Sequence, residues 1–384
     1  MTQDTDKDRL THSSRRRFLA GSAAVGAVAV AGCTGDDESA ENGESAENDV
    51  SDSPVEQIGS GREGRPAPGG TSIADLPDLE GELELYSGRS EFLVSELISF
   101  LDETYPDFTP SVRYGGGSDL VNTITTEGSG SPADVFYTVN AGNLGALAEA
   151  GRTQSLSTEI QETVSEEFRT DQWAGTSGRA RTVPFNTNAY SEGDIPDDVM
   201  TFPEFDGDLG WAPTYGSCQA FITAMRIFEG EEATREWLEG VVDAGITPYA
   251  DEFQVSQAIA NGELDAGFAN HYYIQRVLDG SPNAPIDTAF TSGDAGTIFN
   301  VAGAAVVDTA PNPELAQNFV RHLLSAEAQE YFAVETFEYP LIPEVEPVGD
   351  LPTVDELDVP EFDIAELSDV QDTIDLMREV GIST

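Results

Sequence analysis

Residues 82–101 read ELELYSGRSEFLVSELISFL, and this stretch decides the fold class. Apolar and polar side chains alternate over residues 82–86, which predicts a β-strand, and Ser87 and Gly88 end it. Apolar side chains then recur at helical spacing over residues 92–101. A strand followed at once by a helix is the repeating unit of an α/β fold.

Two further strand–helix units follow this one. Strands and helices are predicted to alternate over residues 111–114, 120–126, 133–138 and 144–150. This βαβαβα order predicts a parallel sheet whose ligand-facing loops leave the carboxyl ends of the strands. A similar alternation covers residues 210–278, and we then predict a strand at 297–307 and one amphipathic helix over 312–332.

The chain is strongly acidic, with 71 acidic and 18 basic residues among 384. This charge excludes nucleic acid as a partner, because the phosphate backbone would be repelled. Self-repulsion destabilises a fold of this charge in dilute salt, whereas molar salt shortens the Debye length to about 3 Å and screens the repulsion. Lys7 is the only lysine, and such an acidic, lysine-poor composition resembles that of proteins from extremely halophilic archaea.

Residues 1–33 have the pattern of an export signal. Three arginines at 15–17 form a twin-arginine motif, and the apolar run that follows is too short to span a membrane. Residues 30–33, Val-Ala-Gly-Cys, resemble the processing site of exported lipoproteins. We therefore predict lipidation of Cys33 and attachment to the extracytoplasmic face of the cell membrane. The alternative is cleavage by an ordinary signal peptidase beside an incidental cysteine.

Two flanking segments differ in composition from the centre of the chain. Residues 34–78 repeat Glu-Ser-Ala-Glu-Asn and then become rich in Gly and Pro, which predicts a disordered, extended acidic linker. Residues 344–384 form an acidic tail that we expect to lie over the surface and to end in a helix at 374–380. The region between these segments is long enough for two lobes.

Two adjacent tyrosines, Tyr272 and Tyr273, follow a short apolar strand pattern at 264–269. Phenolate oxygen is a hard, anionic ligand, so a pair of phenolates suits a small and highly charged cation such as ferric iron. In a continuous strand the two side chains would point to opposite faces. Joint ligation therefore requires a helix to begin there and to run through residues 274–276. The alternative is that one tyrosine packs in the core and the other lies at its rim.

Several short motifs occur in the order typical of one protein family. They are LYSGR at 85–89, SPADVF at 131–136, GRAR at 178–181, PTYG at 213–216, NGELDA at 261–266, NHYY at 270–273 and EYPL at 338–341. From about residue 80 to 343 the chain thereby resembles the substrate-binding lipoproteins of ferric-iron ABC transporters.

The resemblance implies a type 2 periplasmic-binding-protein fold, in which two lobes enclose a hinged cleft. It places the first lobe at 79–180 and 290–343 and the second lobe at 181–289. A monomer would bind ferric iron through Tyr272 and Tyr273 and deliver it to a membrane permease and its ATPase subunit. A synergistic anion, phosphate or carbonate, would be held at family positions that are here Thr214, Gly216, Ser217 and Asn270.

Several candidate residues have more than one interpretation. Tyr215 replaces a small residue common in the family and is a candidate third phenolate. Glu91 could be a metal ligand, but Ser90 and Glu91 also suit a helix N-terminus. Arg89 could neutralise an anion at the cleft.

The chain also departs from the family at the usual first-lobe ligands. A histidine and a tyrosine are common in relatives where this chain has Ser90 and Glu91, and other relatives use an acidic residue at Val139 or a tyrosine at Phe185. The predicted iron site is therefore incomplete on the first-lobe side.

Two other functions follow from different interpretations of the same residues. The missing first-lobe ligands allow the same fold to bind a non-iron solute, such as an organic anion, a thiamine-like or polyamine-like cation, or another metal. A secreted hydrolase has little support, because the sequence lacks Gly-x-Ser-x-Gly and His-Glu-x-x-His motifs. We therefore expect a binding protein and not an enzyme.

Overall fold

The computed structural model describes residues 56–62, 64–368 and 370–384. The predicted signal at 1–33, with Cys33, and the linker residues 34–55 lie outside the described residues. Among the described residues, no helix is both long enough and apolar enough to cross a membrane.

The first predicted strand–helix units are confirmed. They are β1 (Gly81–Ser87), α1 (Glu91–Thr104), β2 (Phe108–Tyr114), α2 (Gly117–Glu127), β3 (Val135–Thr138) and α3 (Ala141–Glu149). Strand β1 pairs in parallel with both β2 and β3. The alternating pattern buries Leu83 and Leu85, whereas Val94, Leu97 and Leu101 line the inner face of α1.

The rest of the fold continues as mixed α/β structure. Its elements are α4 (Thr158–Thr163), β4 (Ala174–Asn186), β5 (Leu209–Trp211), α5 (Gly216–Glu229), α6 (Glu231–Asp243), β6 (Thr247–Pro248), α7 (Glu252–Ala260), β7 (Ala266–Gly267), β8 (Ala269–Asn270), α8 (His271–Gly280), β9 (Ile286–Ala289), β10 (Phe299–Val306), α9 (Pro313–Leu323), α10 (Ala326–Val334) and α11 (Gln371–Glu379).

One sheet runs through the molecule in the order β2-β1-β3-β10-β4-β7-β5-β6, with β8 and β9 also paired to β4. The long strand β4 passes from one hydrophobic core to another, since Ala180 packs in the first core and Val183 in the second. The return path alternates between the two cores: Phe290 packs against the first core, Ala295 and Ile298 belong to the second, and Phe299, the first residue of β10, belongs to the first. The boundary at 289/290 stays a prediction.

The helix predicted over 312–332 is wrong in one respect, because the structure has two helices there. Helix α9 ends at Leu323, and the Ser325 hydroxyl accepts a hydrogen bond from Ala328 N–H to cap α10. Every residue of α10 is buried, with the polar Gln329 donating to two carbonyl oxygens. The apolar spacing continues through the break and so does not reveal it.

The flanking segments are more closely packed than predicted. In the described part of the linker, Ile58 and Ile73 lie in the first core, and Ile73 N–H donates to buried Glu327 at 2.9 Å. This part is therefore ordered, because its few apolar side chains and the carboxylates of α10 find partners there. The predicted C-terminal helix is confirmed as α11, and Met377 on this helix is part of the second core.

Candidate functional site

A cavity of about 540 Å³ opens where the two cores meet. Its first wall carries Ser90, Ser118, Asn140, Asn143, Arg179 and Asn300, and its second wall carries Tyr215, Ser217, Gln219, Asn270, Tyr272, Tyr273 and Arg276. The first wall also includes the apolar Phe92, Leu93 and Val139, and its polar groups are mostly neutral, whereas the second wall is rich in phenols. Glu338 is the one acidic side chain among the described residues that line this cavity.

The backbone leaves the extended state at the tyrosine pair, as joint ligation requires. Strand β8 ends at Asn270, which has extended backbone angles and precedes the first residue of α8. Tyr272 and Tyr273 therefore both lie in the first turn of a helix, with ring centroids 4.4 Å apart. Both side chains line the same cavity, with Tyr273 buried and Tyr272 half-buried.

A third phenol joins the pair. The hydroxyl of Tyr215, which precedes α5, lies 2.6 Å from the hydroxyl of Tyr273. The Asn270 side-chain amide donates to the Tyr272 hydroxyl at 3.1 Å. No group of three or more His, Cys, Asp or Glu side chains in the described part of the chain could hold a metal ion. Glu338 is paired with Arg89, so the three phenols are the oxygen donors that this cavity offers a hard cation, and they become anionic when they lose their protons.

The surroundings of the phenols set their protonation. Burial raises the pKa of Tyr272, and the charge of Glu252 adds to this increase, whereas Arg179 lowers the pKa. The pKa of Tyr273 is also raised well above its usual value, mainly by burial and in addition by the two neighbouring phenols. Without a cation both phenols are therefore protonated at neutral pH, and a cation that binds them must displace their protons.

Arg276 is the second basic side chain of the cavity. Its guanidinium carbon lies 5.1 Å from the ring centroid of Tyr272 and 5.5 Å from that of Tyr273. It lies on α8, the same helix as both tyrosines. A cation over the rings stabilises negative charge on the two phenols.

Two of the predicted anion-binding residues already have an internal carboxylate as partner. The Ser217 hydroxyl and the Asn270 backbone N–H both donate to Glu252, the latter at 2.9 Å. Glu252 is fully buried and also accepts from Arg181 at 2.7 Å. Gly216 begins α5 and lines the cavity, whereas Thr214 is exposed and does not line it.

The structure places Arg89 inside the first lobe and not among the residues that line the cavity. Arg89 is 1% exposed and forms a two-pronged salt bridge with Glu338, with N–O distances of 2.5 and 3.3 Å. Its guanidinium also lies over the rings of Tyr137 and Phe332. Its charge is therefore neutralised inside the first lobe, where an unpaired buried charge would be costly.

The other first-lobe candidates lie at a helix N-terminus, at the cavity wall or in a core. Helix α1 begins at Glu91 with Ser90 at its N-cap, although the Ser90 side chain makes no capping hydrogen bond. Glu91 is exposed and does not line the cavity. Val139 lines it, but Phe185 is buried in the second core. The described first-lobe residues therefore add no free carboxylate or phenol to the three tyrosines.

His271 and Cys218 are buried near the site but do not line the cavity. Nδ1 of His271 accepts from Ala180 N–H at 3.2 Å, and burial lowers the pKa of this imidazole to about 4. Burial also raises the pKa of the Cys218 thiol to about 12. Neither side chain lines the cavity.

Sequence reasoning missed Glu252 and Arg276. Glu252 is one of 71 acidic residues, and nothing in its local sequence separates it from the exposed ones. Arg276 follows Tyr272 by four residues, and this spacing on the predicted helix is a signal that could have been used.

Three kinds of comparison agree on what this chain resembles. A family model described as bacterial extracellular solute-binding protein matches residues 99–356. The major ferric iron-binding protein of Neisseria meningitidis serogroup A is 32% identical over 276 residues, which cover 69% of this chain and 83% of that protein. Iron uptake protein A1 of Synechocystis sp. is 32% identical over 289 residues, covering 70% and 78% respectively.

Solved structures agree with these sequence relatives. Iron-bound HitA from Pseudomonas aeruginosa has a TM-score of 0.68 and 29% identity, covering 78% of this chain and 99% of that one. The Trichodesmium protein IdiA (FutA), in complex with iron and citrate, has a TM-score of 0.68 and 27% identity, covering 79% and 100%.

The match confirms the predicted two-lobed type 2 periplasmic-binding fold, in which the cleft lies between lobes joined by crossing strands. The family model covers more than half of the chain, and the sequence relatives match over most of their own length. The chain belongs to the family of bacterial extracellular solute-binding proteins.

Proposed function

We propose that this protein is the solute-binding receptor of an ABC importer and captures ferric iron in the interlobe cleft. The observation that carries the proposal is the convergence of three phenols, from Tyr215, Tyr272 and Tyr273, on one wall of the cavity. Relatives named for ferric iron binding and iron uptake support the same cargo. The role is transport and not catalysis.

The chemistry of the donors favours ferric iron over softer or less charged metals. Three phenolates supply three negative charges, which balance the three positive charges of ferric iron, and their oxygens are hard donors. Arg276 lies over two of the rings and favours their deprotonated form. If the iron is six-coordinate, three positions remain. The described first-lobe residues that line the cavity offer no free carboxylate or phenol to fill them.

The cellular setting of the proposal comes from the sequence. The twin-arginine motif and Cys33 support export of a folded domain and a lipid anchor on the extracytoplasmic face of the membrane. The acidic linker would connect that anchor to the first lobe. A monomer would deliver iron to a membrane permease that is driven by its ATPase subunit, in a cell with high internal or external salt.

The proposal is tested by purifying the protein in molar KCl and adding ferric iron. Phenolate coordination should give a coloured complex that survives gel filtration, and the double variant Tyr272→Phe and Tyr273→Phe should abolish both colour and retained iron. Tyr215→Phe should retain less iron and shift the absorption band. Tyr249→Phe is the matched control, because this second-lobe tyrosine does not line the cavity.

A colourless wild-type protein that retains no iron would refute the proposal. Mass spectrometry of a co-purified organic solute would then identify the cargo, as the sequence alternative of a non-iron ligand requires. Colour that persists unchanged in the double variant would equally refute the assignment of the ligands.

A further inference from the structure

One buried carboxylate that does not line the cavity holds the segments that carry the phenols. Glu252 is the first residue of α7 and is fully buried. Its carboxylate accepts hydrogen bonds from the Ser217 hydroxyl, from Asn270 N–H at 2.9 Å and from Arg181 at 2.7 Å. These donors belong to α5, to the N-cap of α8 and to β4. A single side chain of α7 therefore connects three other elements.

The first connection leads to the adjacent tyrosines. Asn270 is the N-cap residue of α8, so holding its backbone N–H holds the point at which this helix begins. The Asn270 side-chain amide donates to the Tyr272 hydroxyl at 3.1 Å, and Tyr273 follows in the same helical turn. Asn270 also pairs with Arg181 in the ladder between β8 and β4. Glu252, Arg181 and Asn270 thus contact one another at the start of α8.

The second connection leads to the third phenol. Ser217 lies in the first turn of α5, two residues after Tyr215. The Tyr215 hydroxyl in turn lies 2.6 Å from the hydroxyl of Tyr273. The hydrogen bond from Ser217 to Glu252 therefore holds the start of α5 next to the start of α8. One carboxylate thereby sets the distance between the two segments that carry all three phenols.

The physical chemistry of the ion pair favours positioning over stabilisation. Glu252 and Arg181 are both buried, and Nε and Nη2 of Arg181 have no hydrogen-bond partner in the part of the chain that the structure describes. A buried ion pair gains little stability over apolar side chains of similar volume, because desolvation offsets the attraction. Its hydrogen bonds are directional, however, and a fully buried network of them fixes the relative positions of the elements that it joins.

We propose that Glu252 is a positioning residue for ferric iron, because it holds the N-terminal ends of α5 and α8 at the spacing that lets their three phenols bind one ion. This inference rests on the proposed function. It goes beyond that function by assigning part of the affinity to a side chain that does not contact the iron. Glu252 acts through the Ser217 hydroxyl and the Asn270 N–H.

The first test compares Glu252→Gln with Glu330→Gln in molar KCl. Both substitutions neutralise a buried carboxylate that is paired with an arginine, but Glu330 lies on α10 in the first lobe and does not line the cavity. Both variants should have lower melting temperatures than the wild type. Only Glu252→Gln should raise the Kd for ferric iron, roughly 10- to 100-fold, because the charge-assisted hydrogen bonds that hold the phenols are weakened. Competition with nitrilotriacetate measures this Kd.

The absorption band of the iron complex separates positioning from stability. At saturating iron the phenolate band of Glu252→Gln should shift and weaken, whereas Glu330→Gln should keep the wild-type band. A folded Glu252→Gln protein with the wild-type Kd and band would overturn the inference and leave the proposed function intact. Equal changes in both variants would also contradict it, since they would follow from lost stability. Wild-type protein that binds no iron would refute the proposed function and the inference with it.

A double-mutant cycle with Tyr215→Phe tests the connection itself. If Glu252 places this phenol, Glu252→Gln should raise the Kd by a smaller factor in Tyr215→Phe than in the wild type, and equal factors would refute the inference. Ser217→Ala tests the same connection if Glu252→Gln does not fold, because it removes one hydroxyl donor and keeps the ion pair with Arg181. It should raise the Kd about 3- to 10-fold and shift the band. An unchanged Kd and band in Ser217→Ala would count against the inference.

Discussion

Replacing Arg89 with methionine tests whether this arginine stabilises the first lobe or binds an anion. Its side chain is fully buried and bonds Glu338, which also accepts hydrogen bonds from Ser177 and Thr336 at 3.2 and 2.8 Å. Desolvation alone would raise the pKa of Glu338, but Arg89 outweighs this effect and keeps the pKa below its usual value. Arg89→Met therefore leaves a buried carboxylate with only two hydroxyl donors.

The structure sets the expected magnitude. Removing one partner of a buried ion pair costs about 3–5 kcal/mol of the free energy of unfolding. The two hydroxyl donors to Glu338 remain and offset part of that cost, so we expect about 3 kcal/mol. Arg378→Met is the control, because Arg378 and Asp375 form an exposed pair with N–O distance 3.6 Å. Such a pair contributes at most about 1 kcal/mol.

The assay is urea unfolding at two salt concentrations. Molar KCl should remove the effect of Arg378→Met but preserve that of Arg89→Met, because salt screens exposed charges far more than buried ones. Adding Glu338→Gln to Arg89→Met should recover part of the lost stability, since it removes the unpaired charge. A loss below about 1 kcal/mol for Arg89→Met, together with loss of anion retention, would refute the structural assignment.

Three further predictions concern other buried groups. His322→Gln should reduce the loss of stability between pH 7 and pH 5, because burial lowers the folded pKa of His322 to about 4 and the unfolded chain binds its proton first. We expect this group to contribute about 2 kcal/mol to the wild-type fall in the free energy of unfolding between the two pH values, measured by urea unfolding. An equal fall in the wild type and in His322→Gln would contradict the prediction. Cys218 should resist thiol reagents until the protein unfolds, because its thiol is buried and its pKa is raised. Fast labelling of the native protein would contradict this prediction. The affinity for iron should fall as pH falls, by up to about tenfold per pH unit for each of Tyr272 and Tyr273, because protons compete with iron for the phenols. Titrating the colour of the complex against pH tests this, and a colour that does not change with pH would contradict it.

Local sequence predicted those features that depend on neighbouring residues. The alternation at 82–86 and the helical spacing at 92–101 predicted β1 and α1, because burial of one face fixes both periods. The requirement that Tyr272 and Tyr273 share a site predicted the start of α8. The resemblance to a family predicted the two-lobed fold, which the structural relatives confirm.

Other features depended on residues far apart in the chain. The break between α9 and α10 lies within an unbroken apolar pattern, because α10 is buried on every side and no polar face marks its ends. The partner of Arg89 is 249 residues away, so its neutralisation could not be inferred from the Tyr-Ser-Gly-Arg motif. The disorder of the described linker residues was predicted from composition alone. Composition does not show that Ile58 and Ile73 pack in the first core.

By itself, the sequence determined the α/β class, the acidic composition, the export pattern and the adjacency of two phenols, whose shared helical turn it gave as one of two interpretations. Only the tertiary structure brought Tyr215 within 2.6 Å of Tyr273, placed Glu252 against Ser217 and Asn270, and left Arg179 without a carboxylate among the described residues. The reason is physical. Periodicity follows from burying one face of a segment, whereas the charge state and partners of a side chain depend on which distant segments exclude water around it.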